Sequence, residues 1–495
     1  MNELLENVKK LYLKYEGDEA GLTRLQTYVL NDINDMMEMY EEEKKEKKEI
    51  EDNIVDYIST FFYKNENKYY SCLVRENEKI HIKYDGLDFE ICNSDIIWHE
   101  IITDLNPHKF PKLSKFKHDI AKRALHNVLE NDVFNCIPES TTIQKIIEFM
   151  SPLFFKTKEE VKYFLSAIGD RVNMRNSDLL YYVPEISREF LTELNVYYSD
   201  YFGVELMKQF KFKYRGYPYN KSRLIKFKRS IKNVSYWNNF VKNNFFNILI
   251  VSVHYSSRYG GSQKYVEKQS IDLQKQILYL NDKSCNDIIA EFQKDFLKDS
   301  TDSHLTHDEM YFLWKIFCEN KNMPLIIYKQ EFFTKIGDYK NMTSDYLIGI
   351  RHFRSFWDET ITTNTPGEYE ISEINELFTI WLNSNKENTV NEYQLLDIIK
   401  HFFPQIQFEG KDLLNITCSL WDKHQDIQKC ILNNKDKLKE RDHNLLEIYK
   451  LYCSYAVLND FANIVSKKYF EKYMDNMISK DFLKNNKVLK DFWLN

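Results

Sequence analysis

The sequence predicts a mainly α, multi-domain protein with small β insertions. Three observations predict it. Gly and Pro number only 12 and 9 in 495 residues, well below the roughly 7% and 5% of average usage, so tight turns are few. Apolar residues recur at three-to-four spacing through most of the chain, which is the helical period. Two stretches, 66–92 and 206–230, instead alternate apolar with polar residues, which is the strand period. A chain of this length, with 43% hydrophobic and 29% charged residues, has the composition of a soluble globular protein and can bury more than one core.

Residues 1–60 read as helices. Leu4, Leu5, Val8, Leu11 and Leu13 make one apolar side, and Leu22, Leu25, Tyr28, Val29, Ile33 and Met36 resume the pattern. The block EEEKKEKKE at 41–49 mixes signs in the favourable i,i+4 order, Glu41 with Lys45 and Glu43 with Lys47, and so predicts a solvated helix. KYYSCLV and KIHIKYDGLDFEIC then alternate, with Asp85-Gly86 as a hairpin signal. Helical spacing returns over 94–105 and 113–130. Ser140, Thr141 and Thr142 are expected to cap the helix carrying Ile143, Ile146, Ile147 and Met150. A helix over 156–167 is expected to end at Gly169, DLLYYV at 178–183 reads as a strand, and Pro184 suits the start of the next helix. After Val266 helices are predicted at 284–298, 307–321, 370–383, 391–403, 411–431, 438–465 and 467–483. TNTPGEYE at 363–370 reads as a linker. The domains expected are a helical arm (1–65), a hairpin-plus-helices domain (66–205), a basic, aromatic-rich domain (206–362) and a helical C-terminal domain (363–495).

The stretch from Leu206 to Val266 stands apart in charge. Its sixty-one residues hold thirteen Lys or Arg and fourteen aromatics and no Asp or Glu. The rest of the chain keeps 55 basic against 75 acidic residues, a balance near −20. Phosphates need fixed cations and exposed bases need flat partners, so segregated positive charge interleaved with rings is the equipment of a nucleic-acid surface. Lys211, Lys213, Arg215, Lys221, Arg223, Lys226, Lys228, Arg229 and Lys232 are the expected phosphate contacts, with Tyr214, Tyr217, Tyr219 and Trp237 as stacking faces. The segment through Gly216 and Pro218 reads as strand, turn and strand with one basic face, followed by a helix over 234–259 closed by Gly260-Gly261. The competing reading docks that basic face on the acidic remainder of the same chain.

No catalytic signature accompanies this stretch. GxxxxGK[ST], GxSxG, HExxH and a kinase set are all absent from the sequence. SRYGGSQKYV reads as a joint between helices. HLTHDE at 304–309 places His304, His307, Asp308 and Glu309 together, but with no further ligands it reads as a helix N-terminus, and neither metal nor cofactor is expected. Eight cysteines without a CxxC spacing read as scattered thiols. The opening MNELLENVKKLYLKYEG is charged and amphipathic, unlike a secretory leader, and no apolar run reaches membrane-spanning length, so a cytoplasmic protein without a membrane partner is expected. Trp381 extends the core stripe Ile371, Ile374, Leu377 and Phe378, and Leu395, Leu396, Ile398, Ile399, Phe402 and Phe403 form another. These C-terminal helices are the expected protein-contact surface.

IPESTTIQKIIEFMSPLFF (137–155), FLSAIGDRV (164–172), VHYSSRYGGSQKYV (253–266) and YEISEINELFTIWL (369–382) resemble segments of uncharacterised proteins of giant nucleocytoplasmic DNA viruses. Part of the layout is similar to the flanks of viral D5-type primase-helicases, whose ATP chemistry needs a P-loop that this chain lacks. The resemblance implies a setting, viral genome replication or the transcription and handling of viral messages in host cytoplasm, and assigns no catalytic residue. The expected function is therefore a nucleic-acid-binding scaffold or accessory factor, without enzymatic activity, on RNA or DNA. A helical protein adaptor for translation or transcription machinery is the alternative, and a degenerate helicase-like or nuclease-like enzyme the second.

Overall fold

The computed structural model describes residues 2–64, 68–228, 234–300, 304–339, 341–382, 390–461, 463–484 and 487–493. It is mainly helical, with small two- and three-stranded sheets. The chain forms two compact units, residues 1–285 with 318–326, and residues 286–317 with 327–495.

The first unit is built around two helices, Lys158–Val172 and Val234–Tyr259. Their facing sides bury Phe164, Leu165, Ile168, Val241, Ile248, Leu249 and Val251. Gly169 does not end the first helix, as its spacing predicts; it lies inside it. A Cβ there would sit 2.0 Å from the Ser252 carbonyl oxygen, so glycine is present because two helix backbones meet. Thr157 and Glu160 start this helix with a reciprocal capping box.

A three-stranded antiparallel sheet, Lys68–Leu73, Lys79–Tyr84 and Phe89–Cys92, confirms the strand reading of 66–92. At its second turn Gly86 has φ 100° and the Asp85 carboxylate accepts from the amides of Leu87 and Asp88. The expected caps at 140–142 act differently. Glu139 occupies the N-cap, and Thr142 is buried with its hydroxyl donating to the Leu87 carbonyl at 2.7 Å. The threonines tie that helix (Ser140–Met150) to the hairpin turn. A second core gathers Ile54, Tyr57, Ile58 and Phe61 of the helix Ile33–Lys64 against Ile97, Ile101, Ile120 and Ala124.

In the second unit, Phe292, Trp314, Phe317 and Phe332 pack together, as do Phe353, Phe356 and Phe378. Most of both predicted C-terminal stripes is core: Ile371, Ile374, Leu377, Phe378, Leu395, Ile398, Ile399 and Phe403 are buried, whereas Trp381, Leu396 and Phe402 are only half-buried. Three expectations fail here. The linker at 363–370 is part of a strand, Ile361–Glu370, paired with Asp412–Cys418. That partner strand replaces the first part of the helix expected at 411–431, which begins only at Lys423. The helix expected at 438–465 is divided into Lys435–Lys439, a two-residue strand and Leu445–Leu458. Long-range strand pairing outweighs the local signal in each case, turn residues in the first and helical spacing in the other two.

Candidate nucleic-acid interface

Residues 206–228 form two short strands, but not the hairpin expected of them. Phe210–Lys211 and Ser222–Leu224 both run parallel to Leu180–Tyr182, one on each side, so the earliest strand is central. Tyr182 is level with Lys211 and with Leu224. The alternating pattern is real, and its apolar members explain the outcome: Phe210, Leu224, Ile225 and Phe227 are buried, with Phe227 packed at a tilt on Phe155 and edge-on to Phe164. A free hairpin would have exposed them.

The predicted cations separate into three groups. Arg223 is a correction: it is 6% exposed, with its guanidinium donating to Gln263 and to the carbonyls of Asn220 and Ser222. The small sheet buries it on the Tyr181 side, so it is unavailable to phosphate. Lys221 is exposed but lies 3.1 Å from Asp178, whose carboxyl this contact holds below the usual carboxylate range. Lys213, Arg215 and Lys226 are exposed, and Lys211 and Lys228 are half-buried. Among the described residues none of these five forms a direct ion pair with a carboxylate, although the Lys213 charge acts on Glu185 at longer range. Arg229 and Lys232 lie outside the described residues, and Trp237 is placed only as backbone at the start of the long helix.

Tyr214, Tyr217 and Tyr219 are half-buried. The Tyr214 hydroxyl donates to the Tyr217 carbonyl at 2.8 Å, and its ring lies 5.7 Å from Tyr219 and 6.2 Å from Tyr182. The rings therefore form one small cluster rather than a row of separate platforms. One cation at this edge was not foreseen. Arg188 covers the Phe212 ring at 4.3 Å and holds Glu185 through two hydrogen bonds, keeping that carboxyl below its usual range. It lies outside the acid-free stretch, and its position follows only from the parallel pairing.

The Gly260-Gly261 joint is closed by the chain itself. Gly260 and Gly261 take φ 74° and 105°, and the helix Ser262–Glu267 begins directly after them. The buried Asp170 carboxylate accepts from the Ser262 amide and hydroxyl, from Ser256 and from Asn176, all at 2.7–2.8 Å. A protein carboxylate occupies the place where a phosphate loop would hold its anion.

In HLTHDE the groups are engaged individually. Glu309 is buried and binds Arg351 and Arg354, while His307 stacks on Phe333 and meets the Tyr339 hydroxyl. Among the described residues no three His, Cys, Asp or Glu side chains gather as a metal cluster. In the second unit Lys423 and Glu373 form an ion pair buried at both ends, with the lysine enclosed by the Tyr369, Trp421 and Tyr469 rings. Burial pushes Glu373 up and Lys423 down, toward the neutral pair. No helix among the described residues is long and apolar enough to cross a membrane. Comparison with protein-family models, with curated proteins and with solved structures finds no match to this chain.

Proposed function

We propose that this protein is a nucleic-acid-binding scaffold or accessory factor that contacts RNA or DNA without cutting or unwinding it. The reading rests on one observation: five cations of the acid-free stretch (Lys211, Lys213, Arg215, Lys226 and Lys228) form no direct ion pair with a carboxylate among the described residues, while Asp178 is held by Lys221 and Glu185 by Arg188, with Lys213 acting on Glu185 only at longer range. Parallel register supports it. Lys213 and Lys226 follow the C-terminal ends of strands flanking Leu180–Tyr182, the end of a parallel sheet that serves ligands in open α/β folds. The tyrosine cluster beside them offers ring surface for an unpaired base. The viral resemblance adds a setting in genome replication or message handling.

The test is a fluorescence-anisotropy titration of labelled single-stranded RNA, single-stranded DNA and duplex DNA at two salt concentrations. Binding that falls steeply with salt is expected. Reversing Lys213, Arg215 and Lys226 to Glu should weaken it and flatten the dependence by about 2 in log–log slope on single strands, at about 0.7 per phosphate contact. Equal affinity and slope in this variant would remove the site. No binding at low salt would leave the adaptor reading in the lead, for which exposed Leu432, Val457 and Leu458 on the C-terminal helices offer a contact surface.

A further inference from the structure

The N-terminal arm carries more exposed apolar surface than a solitary helix needs. The chain is helical without a break from Glu19 to Lys64, with a π-helical turn at Tyr28–Asp32. At 1.5 Å per residue this rod is about 70 Å long. Only its last part is packed, through Ile54, Tyr57, Ile58 and Phe61. Upstream, Ile33, Met36, Met37, Met39 and Tyr40 are all exposed, Met36 by 66%. Apolar surface of this extent marks an interaction site.

Charge identifies what covers it. From Leu25 to Glu43 the rod has six acids (Asp32, Asp35, Glu38, Glu41, Glu42 and Glu43) and no Lys or Arg. The packed end has the opposite surroundings: residues 109–126, which include most of the helix Lys117–Glu130 lying against it, hold six Lys or Arg and one acid, Asp119. Between the two helices runs a groove of about 660 Å³ with Val55, Leu125 and Leu129 as floor and Lys122, Arg123 and His126 at its rim. Arg123 is held by Glu51 and His126 lies 3.4 Å from Glu130, so among the described residues Lys122 supplies the rim charge that has no ion-pair partner.

The charge block fixes a register. If two rods lie antiparallel with Lys45 at the centre, Glu42 comes level with Lys48, Glu43 with Lys47 and Lys44 with Glu46. Like charges meet within the block only at Lys45 itself, on the axis, and at the flanking Glu41–Glu49 level, where Lys112 already holds Glu49 at 2.9 Å; outside the block Glu38 comes level with Asp52. A parallel, in-register pair instead sets every charge beside its own copy, the six acids of 25–43 included. The antiparallel register brings Ile33 level with Tyr57 and Met37 level with Asn53, beside the groove. Met37 and Val55 are eighteen residues apart, five helical turns, and so lie on one face of the rod.

We propose that the arm is a homodimerisation element: two copies pair antiparallel about Lys45, and the acidic, apolar segment 33–40 of each docks in the basic-rimmed groove of the other. Sedimentation velocity on the full chain at micromolar concentration should report twice the 59.8 kDa chain mass. The variant Ile33→Glu with Met37→Glu changes only exposed side chains, so it should keep its circular dichroism and sediment as a single chain. Chains carrying E42K/E43K and chains carrying K47E/K48E should each dissociate alone and pair when mixed, because mixing restores opposite signs at the 42–48 and 43–47 levels. Mild oxidation should cross-link M37C chains to N53C chains and leave M37C chains alone uncross-linked. A wild-type monomer overturns the proposal, as does an M37C self-cross-link, which indicates parallel rods. A monomer that floats with phosphatidylcholine vesicles overturns it too and assigns the apolar face to lipid.

Discussion

Gly169 shows how much a single residue decides in this fold. In an exposed helix, Gly→Ala gains about 1 kcal/mol. Here the added methyl meets the Ser252 carbonyl at 2.0 Å and the Ser256 Cβ at 2.8 Å, and backbone cannot yield as a flexible side chain does. Gly169→Ala should therefore destabilise the first unit by about 3 kcal/mol, the upper range of overpacking, read as a lower denaturation midpoint with an unchanged slope. A gain in stability would mean that the two helices are further apart than described. Lys423 is the counterpart in the second unit. Its ammonium is held by Glu373 and by the Glu368 carbonyl and sealed by three rings. Lys423→Met leaves a buried carboxylate uncompensated and should cost about 3–5 kcal/mol, most of it recovered when Glu373→Leu is added. A double variant no better than the single one would show that packing of the lysine stem, rather than its charge, sets the cost. Neither residue announces its role in sequence. A glycine at the end of an apolar run looks like a terminator, and a lysine among polar residues looks like surface.

At the scale of elements, buried charge ties helices together and makes one junction sensitive to acid. Glu309 sits near the start of the helix His307–Asn320 and receives the Thr306 amide together with Arg351 and Arg354 of the helix Leu347–Thr360. Burial opposes its ionisation, and the two guanidiniums outweigh burial, so the folded carboxyl titrates below its ordinary value of 4.5. A depressed folded value means that this contribution is fully present above pH 4.5 and is lost as pH falls through the folded value. Thermal melts of the second unit should therefore lose stability below about pH 4.5, and Glu309→Gln should flatten that loss while lowering stability at neutral pH. An acid limb identical to wild type would assign the sensitivity to other carboxylates. Elements with a strong local period were legible beforehand: the sheet at 68–92, the helix at 140–150 and the stripe through Ile371 and Phe378 all follow from spacing. The strand Asp412–Cys418 was not, because its period-two pattern is short and its partner, Ile361–Glu370, lies more than forty residues away. The same distance problem hid the parallel sheet, in which three short strands come together from 180, 210 and 222.

At the scale of the whole molecule, charge is divided between segments rather than spread evenly, and the proposed functions follow from that division. The acid-free stretch is the proposed source of phosphate contacts, and the salt dependence of RNA and DNA binding tests it. The acid-rich arm and its basic-rimmed groove supply self-association, and chain mass tests that separately, so either reading stands if the other falls. By itself the sequence determined the helical class, the hairpin at 68–92, the apolar stripes of the cores and the segregation of positive charge, since each depends on residue type at short spacing. Only the tertiary structure decided that Arg223 is buried, that Lys221 is neutralised by Asp178, that Arg188 joins the basic edge and that Gly169 is a contact rather than an end. Those outcomes turn on which segments, distant in the chain, come within a few ångströms of one another. Burial and pairing at that range follow from packing, which no local pattern of residues encodes.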